Sequence, residues 1–178
     1  MSEWRNPSLP GRSAASAPRL TAPDRSKDYD GFARTTPSDI GQAMGDAKYI
    51  KNELKCTSLA TVHDGSPYAQ QLAKLAGENF KKMGGNIVAD QSYSEGDTDF
   101  SAQLTSIKAK NPEAIFVPGY YTEAGLIARQ AKKLGLNAPL LGGDGWDSPK
   151  LVEIGGEKLV GLGQLAGGVG RLKRVAVV

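Results

Sequence analysis

Three short apolar runs each lead into a turn that offers an aromatic or acidic side chain. The runs are residues 58–62, 114–117 and 139–141. Their turns carry Tyr68, Tyr120 and Asp144 respectively. The runs barely alternate, as is typical of strands that are covered on both faces. If they are parallel strands, their carboxyl ends meet at one edge of one sheet, and that edge is where open α/β proteins bind ligands.

Helical patterns alternate with the apolar runs. Helices are predicted to begin at Ser38 or Asp39, at Ser66, at Asp97 or Thr98, at Thr122 and near Ser148, and a further strand is predicted at 86–93. Ser66 followed by Pro67 is a good start signal, since serine caps a helix and proline suits its first position. Short connections between alternating strands and helices favour parallel α/β units. The predicted fold class is therefore α/β, with a parallel sheet of about four strands and helices on both faces.

The regular texture does not extend to either end of the chain. Residues 1–31 are rich in Ser, Pro, Ala and Arg without periodicity, and we interpret them as disordered. Residues 32–161 form the predicted ligand-binding domain. Residues 162–178 begin Gly-rich and finish with basic and apolar residues, and we treat them as an unmatched tail.

Composition excludes several classes of function. The net charge of the 178 residues is only +3, and no basic face with interleaved aromatics is visible, so no nucleic acid partner is expected. No apolar stretch approaches the roughly 20 residues that cross a membrane, and membrane insertion is not expected. With Cys56 and His63 as the only residues of their types, neither a disulfide nor a transition-metal site is expected, and no cofactor is predicted.

The three turn residues suggest a pocket for a small apolar molecule that carries a positive charge. Two tyrosine rings offer apolar faces, and Asp144 stands between Gly143 and Gly145, which leave its carboxylate accessible. A carboxylate beside aromatic faces gains charge-assisted hydrogen bonds and cation–π attraction from an ammonium group. Each residue also has a structural alternative: packing for the tyrosines, and capping of a turn for Asp144. Tyr121 and Trp146 are possible pocket walls, although Trp146 could equally cover the end of the sheet.

Catalytic motifs are weaker. His63, Asp64 and Ser66 include the residue types of a hydrolase triad, but side chains so close in sequence rarely converge on one point. The chain has no Gly-x-Ser-x-Gly elbow, no P-loop and no Gly-x-Gly-x-x-Gly after a strand. An enzyme that uses Asp144 as a base remains a less favoured alternative.

Several motifs together resemble the branched-chain amino acid binding proteins of Leu/Ile/Val-type ABC importers, which belong to the type I periplasmic binding proteins. The motifs lie at residues 32–39, 64–68, 99–101, 119–125, 129–136 and 142–146. The resemblance runs from about Phe32 to Gly161 and is specific, because order, spacing and motif agree. It implies one lobe, the second, of a two-lobed Venus-flytrap fold.

The resemblance also implies roles. Tyr68 and Tyr120 occupy positions that line the ligand side-chain pocket in the family, and Asp144 occupies the position that receives the α-ammonium. Family members deliver their ligand to an ABC transporter permease, and the expected location is the periplasm.

Three further expectations concern the ends of the chain and its function. The N-terminus lacks the apolar region of a signal peptide, so the chain as written is expected to be cytoplasmic. A missing first lobe suggests a truncated form with weak or no binding. A sensor of amino acids or amides with the same fold is the alternative function.

Overall fold

A parallel sheet lies at the centre of the fold. The computed structural model describes residues 16–33 and 37–156. The strands there are β1 (Ser58–His63), β2 (Asn86–Ser92), β3 (Ala114–Phe116) and β4 (Leu140–Leu141). Their order is β2-β1-β3-β4, and every neighbouring pair is parallel. The predicted α/β class is confirmed.

Five α-helices connect and flank these strands within the described residues. They are α1 (Asp39–Lys48), α2 (Pro67–Lys82), α3 (Ser101–Ala109), α4 (Tyr121–Lys133) and α5 (Lys150–Gly155). One π-helical turn, Tyr49–Glu53, continues α1. The Ser38 hydroxyl accepts the Gly41 N–H at 3.4 Å, and the Ser66 hydroxyl accepts the Ala69 N–H at 3.2 Å. Both serines therefore act as the N-caps that the sequence predicts.

The third helix begins later than predicted. The expected start was Asp97 or Thr98, whereas α3 begins at Ser101. The Gln130 side chain explains the difference, because its amide accepts the Phe100 N–H and donates to the Thr98 carbonyl, each at 2.8 Å. These backbone groups are thus bonded to α4 and not to a first helical turn.

Two apolar clusters cover the two faces of the sheet. Successive residues of a strand point to opposite faces, and Leu59 and Ala60 accordingly belong to different clusters. One cluster joins the sheet to α1 and α2 and includes Leu72, Phe80 and Phe116. The other joins it to α3, α4 and α5 and includes Phe100, Ile115, Ile127 and Leu151. Helices therefore lie on both faces, as predicted.

The N-terminal segment carries structure that its composition did not predict. Residues 16–33 contain two 3₁₀ turns, Pro18–Leu20 and Lys27–Tyr29. Ser16 and Leu20 are buried, with 8% and 2% of their surface exposed. Burial of a leucine side chain is worth about 1.5–3 kcal/mol, which can offset part of the ordering cost. Residues 1–15 and the tail at 162–178 lie outside the described residues, and the domain boundaries at 31/32 and 161/162 stay predictions.

The described residues contain neither a helix suited to crossing a membrane nor a cluster suited to holding a metal ion. None of their helices combines the length and the apolar character that crossing a membrane requires. No group of three or more His, Cys, Asp or Glu side chains in the same part of the chain is arranged to hold a metal ion.

Candidate ligand-binding site

Tyr68 lies in the first turn of α2, directly after the carboxyl end of β1. The connecting turn includes Gly65, whose φ of 73° lies in the left-handed region that glycine adopts readily. Only 9% of Tyr68 is exposed, and its hydroxyl donates a hydrogen bond to Asp144 Oδ1 at 2.5 Å. The Tyr68 ring therefore packs in the core, as its structural alternative predicts, while its hydroxyl reaches the predicted carboxylate.

Asp144 is placed by a glycine pair that has no room for side chains. A short 3₁₀ turn, Asp144–Trp146, follows β4 through Gly142 and Gly143. A Cβ atom on Gly142 would lie 2.1 Å from the Trp146 indole, and one on Gly143 would lie 2.4 Å from Gln42 Nε2. The two glycines let the strand end approach both neighbours closely, and this approach brings Asp144 next to Tyr68.

Tyr120 completes the cluster from the end of β3. Its ring centroid lies 6.0 Å from that of Tyr68, and the ring planes are tilted by 38°. Gly145 packs against the same turn, because a Cβ there would be 2.2 Å from the Gly119 carbonyl oxygen. The turns after β1, β3 and β4 therefore meet at the carboxyl edge of the sheet, as the parallel arrangement predicts.

These turns enclose a cavity of about 220 Å³. Its lining residues are Ser16, Tyr68, Tyr120, Asp144 and Gly145. The three residues singled out from the sequence thus share one cavity. Ser16 was missed, because it precedes the regular pattern and nothing in its spacing marks it.

The two possible pocket walls lie elsewhere. Trp146 is 3% exposed and belongs to the apolar cluster on the α4 face, where its ring covers Gly142. Tyr121 is half-buried and packs against the same cluster. Neither residue lines the cavity. Trp146 therefore covers the end of the sheet, which is one of the two alternatives that the sequence left open for it.

Electrostatics keep the Tyr68 hydroxyl protonated. Burial raises the pKa of Tyr68 far above its ordinary value, and the charge of Asp144 and its hydrogen bond raise it further. The charge of Asp39 acts in the same direction, while a hydrogen bond from Gln42 opposes the rise in pKa. Tyr68 is therefore a permanent donor to Asp144. Among the described residues it is the only hydrogen-bond donor to that carboxylate, which retains free acceptor positions.

A second carboxyl lies near Asp144. Asp46 of α1 is 8% exposed, and its Oδ2 atom has no hydrogen-bond partner among the described residues. Burial, followed by the charge of Asp144, raises the pKa of Asp46 well above its ordinary value. Asp46 and Asp144 therefore repel each other when both are ionised.

The contiguous residues His63, Asp64 and Ser66 do not converge as a catalytic triad. The Gly65 N–H donates to His63 Nδ1 at 3.2 Å, and the Ser66 N–H donates to Asp64 Oδ1 at 2.8 Å. With the Ser66 hydroxyl capping α2, all three side chains bond to the backbone of their own turn or helix start. These local bonds build the turn that presents Tyr68.

A wider groove, of about 700 Å³, is lined by residues of β1, α2 and β2. Its lining mixes polar and apolar residues and includes His63, Lys74 and Asp90. It contains none of Tyr68, Tyr120 and Asp144. Although the groove is larger, the convergence of two rings and a carboxylate favours the smaller cavity as the ligand site.

A sequence profile of the periplasmic binding protein family matches residues 7–168. The chain belongs to this family. The match starts before Phe32, where the motif resemblance began, and so takes in the segment that contributes Ser16 to the cavity. Sequence and structure agree on the family's fold for the lobe.

Individual relatives show how much of such a protein the chain represents. The Leu/Ile/Val-binding protein of Escherichia coli (strain K12) is 36% identical over 149 residues, which are 84% of this chain and 40% of that protein. The chain therefore spans about 40% of the length of the curated relatives that it matches.

Solved structures give the same result. A leucine-binding protein of Thermotoga maritima is 36% identical with a TM-score of 0.68, covering 70% of this chain and 36% of that one. A branched-chain amino acid transporter substrate-binding protein of Streptococcus pneumoniae, solved in complex with isoleucine, is 39% identical with a TM-score of 0.65. That alignment covers 69% of this chain and 35% of the Streptococcus protein. Both alignments confirm the type I periplasmic binding protein fold.

Proposed function

We propose that this chain is a non-catalytic binding lobe for a small aliphatic amino acid, with Asp144 holding the ammonium and Tyr68 and Tyr120 contacting the side chain. The observation that carries the proposal is the shared cavity, in which two rings and one carboxylate line the same space. Relatives named for binding Leu, Ile and Val support the ligand class.

The size and polarity of the cavity fit such a ligand. Its volume of about 220 Å³ is below the range of about 300–1,000 Å³ typical of drug-sized ligands. Asp144 has acceptor positions beyond the one that Tyr68 uses, and an ammonium group can fill them with charge-assisted hydrogen bonds. The tilted tyrosine pair offers ring faces to an aliphatic side chain. Ser16 lines the same space.

The contribution of the ligand carboxylate is expected to be small. Among the described residues that line the cavity there is no Lys, Arg or His, so none of these residues would pair with the carboxylate of a bound amino acid. We therefore propose weak binding of leucine by this chain, and a micromolar dissociation constant from calorimetry would contradict it. Because the chain belongs to the periplasmic binding protein family, we also propose a role in an ABC importer, with a permease partner and a periplasmic location.

Three ligands that differ in one group test this assignment. NMR titration of the chain with leucine, 3-methylbutylamine and 4-methylpentanoate compares the intact amino acid with analogues that lack the carboxylate or the ammonium. The amine should bind about as well as leucine, and 4-methylpentanoate should not bind measurably. Equal affinity for the amine and the acid would overturn the role of Asp144.

Asp144→Asn is the matching variant. It should weaken binding of leucine and of the amine by about tenfold to hundredfold, since hydrogen bonds to charged groups are worth about 1.5–3 kcal/mol. Asp147→Asn, an exposed carboxylate three residues further on, is the control and should bind as the unaltered chain does. A loss of equal size in both variants would show that the effect is general electrostatics and not a contact.

A further inference from the structure

His63 is a buried titratable group that the proposed function does not use. It is the last residue of β1, and 8% of its surface is exposed. It is also the only histidine among the 178 residues, and histidine is the side chain type whose charge ordinarily changes between pH 5 and 8. Its two ring nitrogens lie in different surroundings, so the effect of a proton depends on which nitrogen receives it.

The Nδ1 atom of His63 faces the turn that follows β1. The Gly65 N–H donates a hydrogen bond to it at 3.2 Å. A ring nitrogen that accepts a hydrogen bond carries no proton, so this bond requires the neutral ring with its proton on Nε2. The next N–H of the turn, that of Ser66, donates to Asp64 Oδ1 at 2.8 Å. Two adjacent side chains thus hold two adjacent backbone groups of one short turn.

This turn leads directly into the candidate ligand site. The Ser66 hydroxyl caps α2 by accepting the Ala69 N–H at 3.2 Å. Tyr68 lies in the same first turn of α2, and its hydroxyl donates to Asp144 at 2.5 Å. Because only three positions separate Gly65 from Tyr68, a displacement of Gly65 moves both the cap and the tyrosine hydroxyl.

We propose that His63 is a positioning residue for the ligand site, and that only its neutral form holds the turn that presents Tyr68. This inference rests on the proposed function, because its consequence is a change in ligand affinity. When Nδ1 takes a proton from solvent, it becomes a donor that faces another donor, the Gly65 N–H. The hydrogen bond to Gly65 is then lost and the turn loosens. The bond from Tyr68 to Asp144 consequently forms in a smaller fraction of molecules.

The charged groups around the ring do not offset this loss. On β2, Asp90 Oδ1 lies 3.8 Å from His63 Nε2, but the Asp90 side chain is 64% exposed, and solvent screens such a pair. Tyr93, after β2, stays neutral because burial and then the charge of Asp64 raise its pKa. In the turn itself, Asp64 already bonds the Ser66 N–H. From α2, the groove that His63 lines receives charges of both signs, on Lys74, Glu78 and Lys81.

Two variants separate the acceptor from the titration. In His63→Asn, the amide oxygen can accept the Gly65 N–H, as in an Asx turn, and it does not change charge. His63→Ala has no acceptor. Between pH 8 and 5, the unaltered chain should lose affinity for leucine and 3-methylbutylamine by about twofold to tenfold, the worth of one hydrogen bond. His63→Asn should bind as the unaltered chain does at pH 8 and stay constant, while His63→Ala should be weak throughout.

NMR titration of the free chain tests the same step without a ligand. The Gly65 amide and the Tyr68 ring should shift with the midpoint of the His63 ring, and neither should shift over that range in His63→Asn. A Gly65 amide that does not follow the ring would overturn the proposal, as would an affinity that stays constant while the amide follows it. If Gly65 and Tyr68 both follow the ring but neither leucine nor the amine binds at any pH, the positioning role stands and the amino acid function fails.

Discussion

Glu113, before β3, and Asp46, on α1, are two carboxyl groups in opposite surroundings. At the amino edge, Glu113 is exposed, yet it accepts hydrogen bonds from the backbone N–H groups of Thr57 and Ser58 and from the Thr57 hydroxyl. These hydrogen bonds lower the pKa of Glu113. The Thr57 N–H has the largest effect, and the Ser58 N–H has the next largest. On α1, by contrast, Asp46 is buried and its Oδ2 atom has no hydrogen-bond partner among the described residues; burial, followed by the Asp144 charge, raises its pKa.

The difference separates a carboxylate that supports the fold from the one that we propose for ligand binding. Glu113 uses its carboxylate oxygens in hydrogen bonds to the protein itself. These bonds connect the start of β1 to the chain before β3. The Asp144 carboxylate accepts one described hydrogen bond and keeps capacity for a ligand. Saturated acceptors stabilise the fold, whereas incompletely satisfied ones leave interaction energy for binding.

The largest expected effect is a loss of stability when a side chain is added to a tightly packed glycine at the carboxyl edge of the sheet. Gly145→Ala places a Cβ 2.2 Å from the Gly119 carbonyl oxygen, and backbone on both sides cannot move aside cheaply. Overpacking of this kind costs about 1–3 kcal/mol, measurable by urea unfolding. Gly31→Ala, where a Cβ meets nothing within 4 Å, is the control. A Gly145→Ala variant as stable as the Gly31→Ala variant would show that this edge is not tightly packed.

The next effect concerns how stability depends on pH. The folded pKa of Asp46 is raised above its unfolded value, so its contribution is fully present below the unfolded pKa and is lost as pH rises through the folded pKa. Unfolding free energies of the unaltered chain and of Asp46→Asn should therefore diverge across that window, with the unaltered chain losing more stability as pH rises. Parallel pH profiles would show that Asp46 is hydrated in the folded chain.

Glu113 should show the opposite sign and the smallest effect. Its folded pKa is lowered, so its contribution is present above the unfolded pKa and is lost as pH falls through the folded pKa. Glu113→Ala should lower the melting temperature at neutral pH and change it less in acid. Glu53→Ala, an exposed glutamate of the π-helical turn, provides the control. The effect is small because solvent screens an exposed carboxylate.

Much of the fold could be predicted because local signals agreed with one another. Ser38 and Ser66 were identified as caps, and the apolar runs correspond to β1, β3 and β4. The start of α3 could not be found in this way, because Gln130, some thirty residues away in sequence, binds the backbone at Thr98 and Phe100. A helix boundary set by a distant side chain leaves no signal in local propensity.

The candidate site likewise contains residues that the sequence could predict and residues that it could not. Tyr68, Tyr120 and Asp144 could be singled out because parallel strands bring their carboxyl ends to one edge whatever the details of packing. The contribution of Ser16 and the burial of Trp146 and Asp46 could not be predicted. Each depends on which face of an element is buried and on what it meets there.

The sequence by itself determined the fold class, the family and the three residues at the strand ends, because periodicity, caps and motif spacing are properties of neighbouring positions. Only the tertiary structure decided that Tyr68 bonds Asp144, that Ser16 joins their cavity and that Asp46 is buried. The physical reason is that hydrogen bonding, desolvation and charge coupling depend on distances across the fold, which no local pattern records.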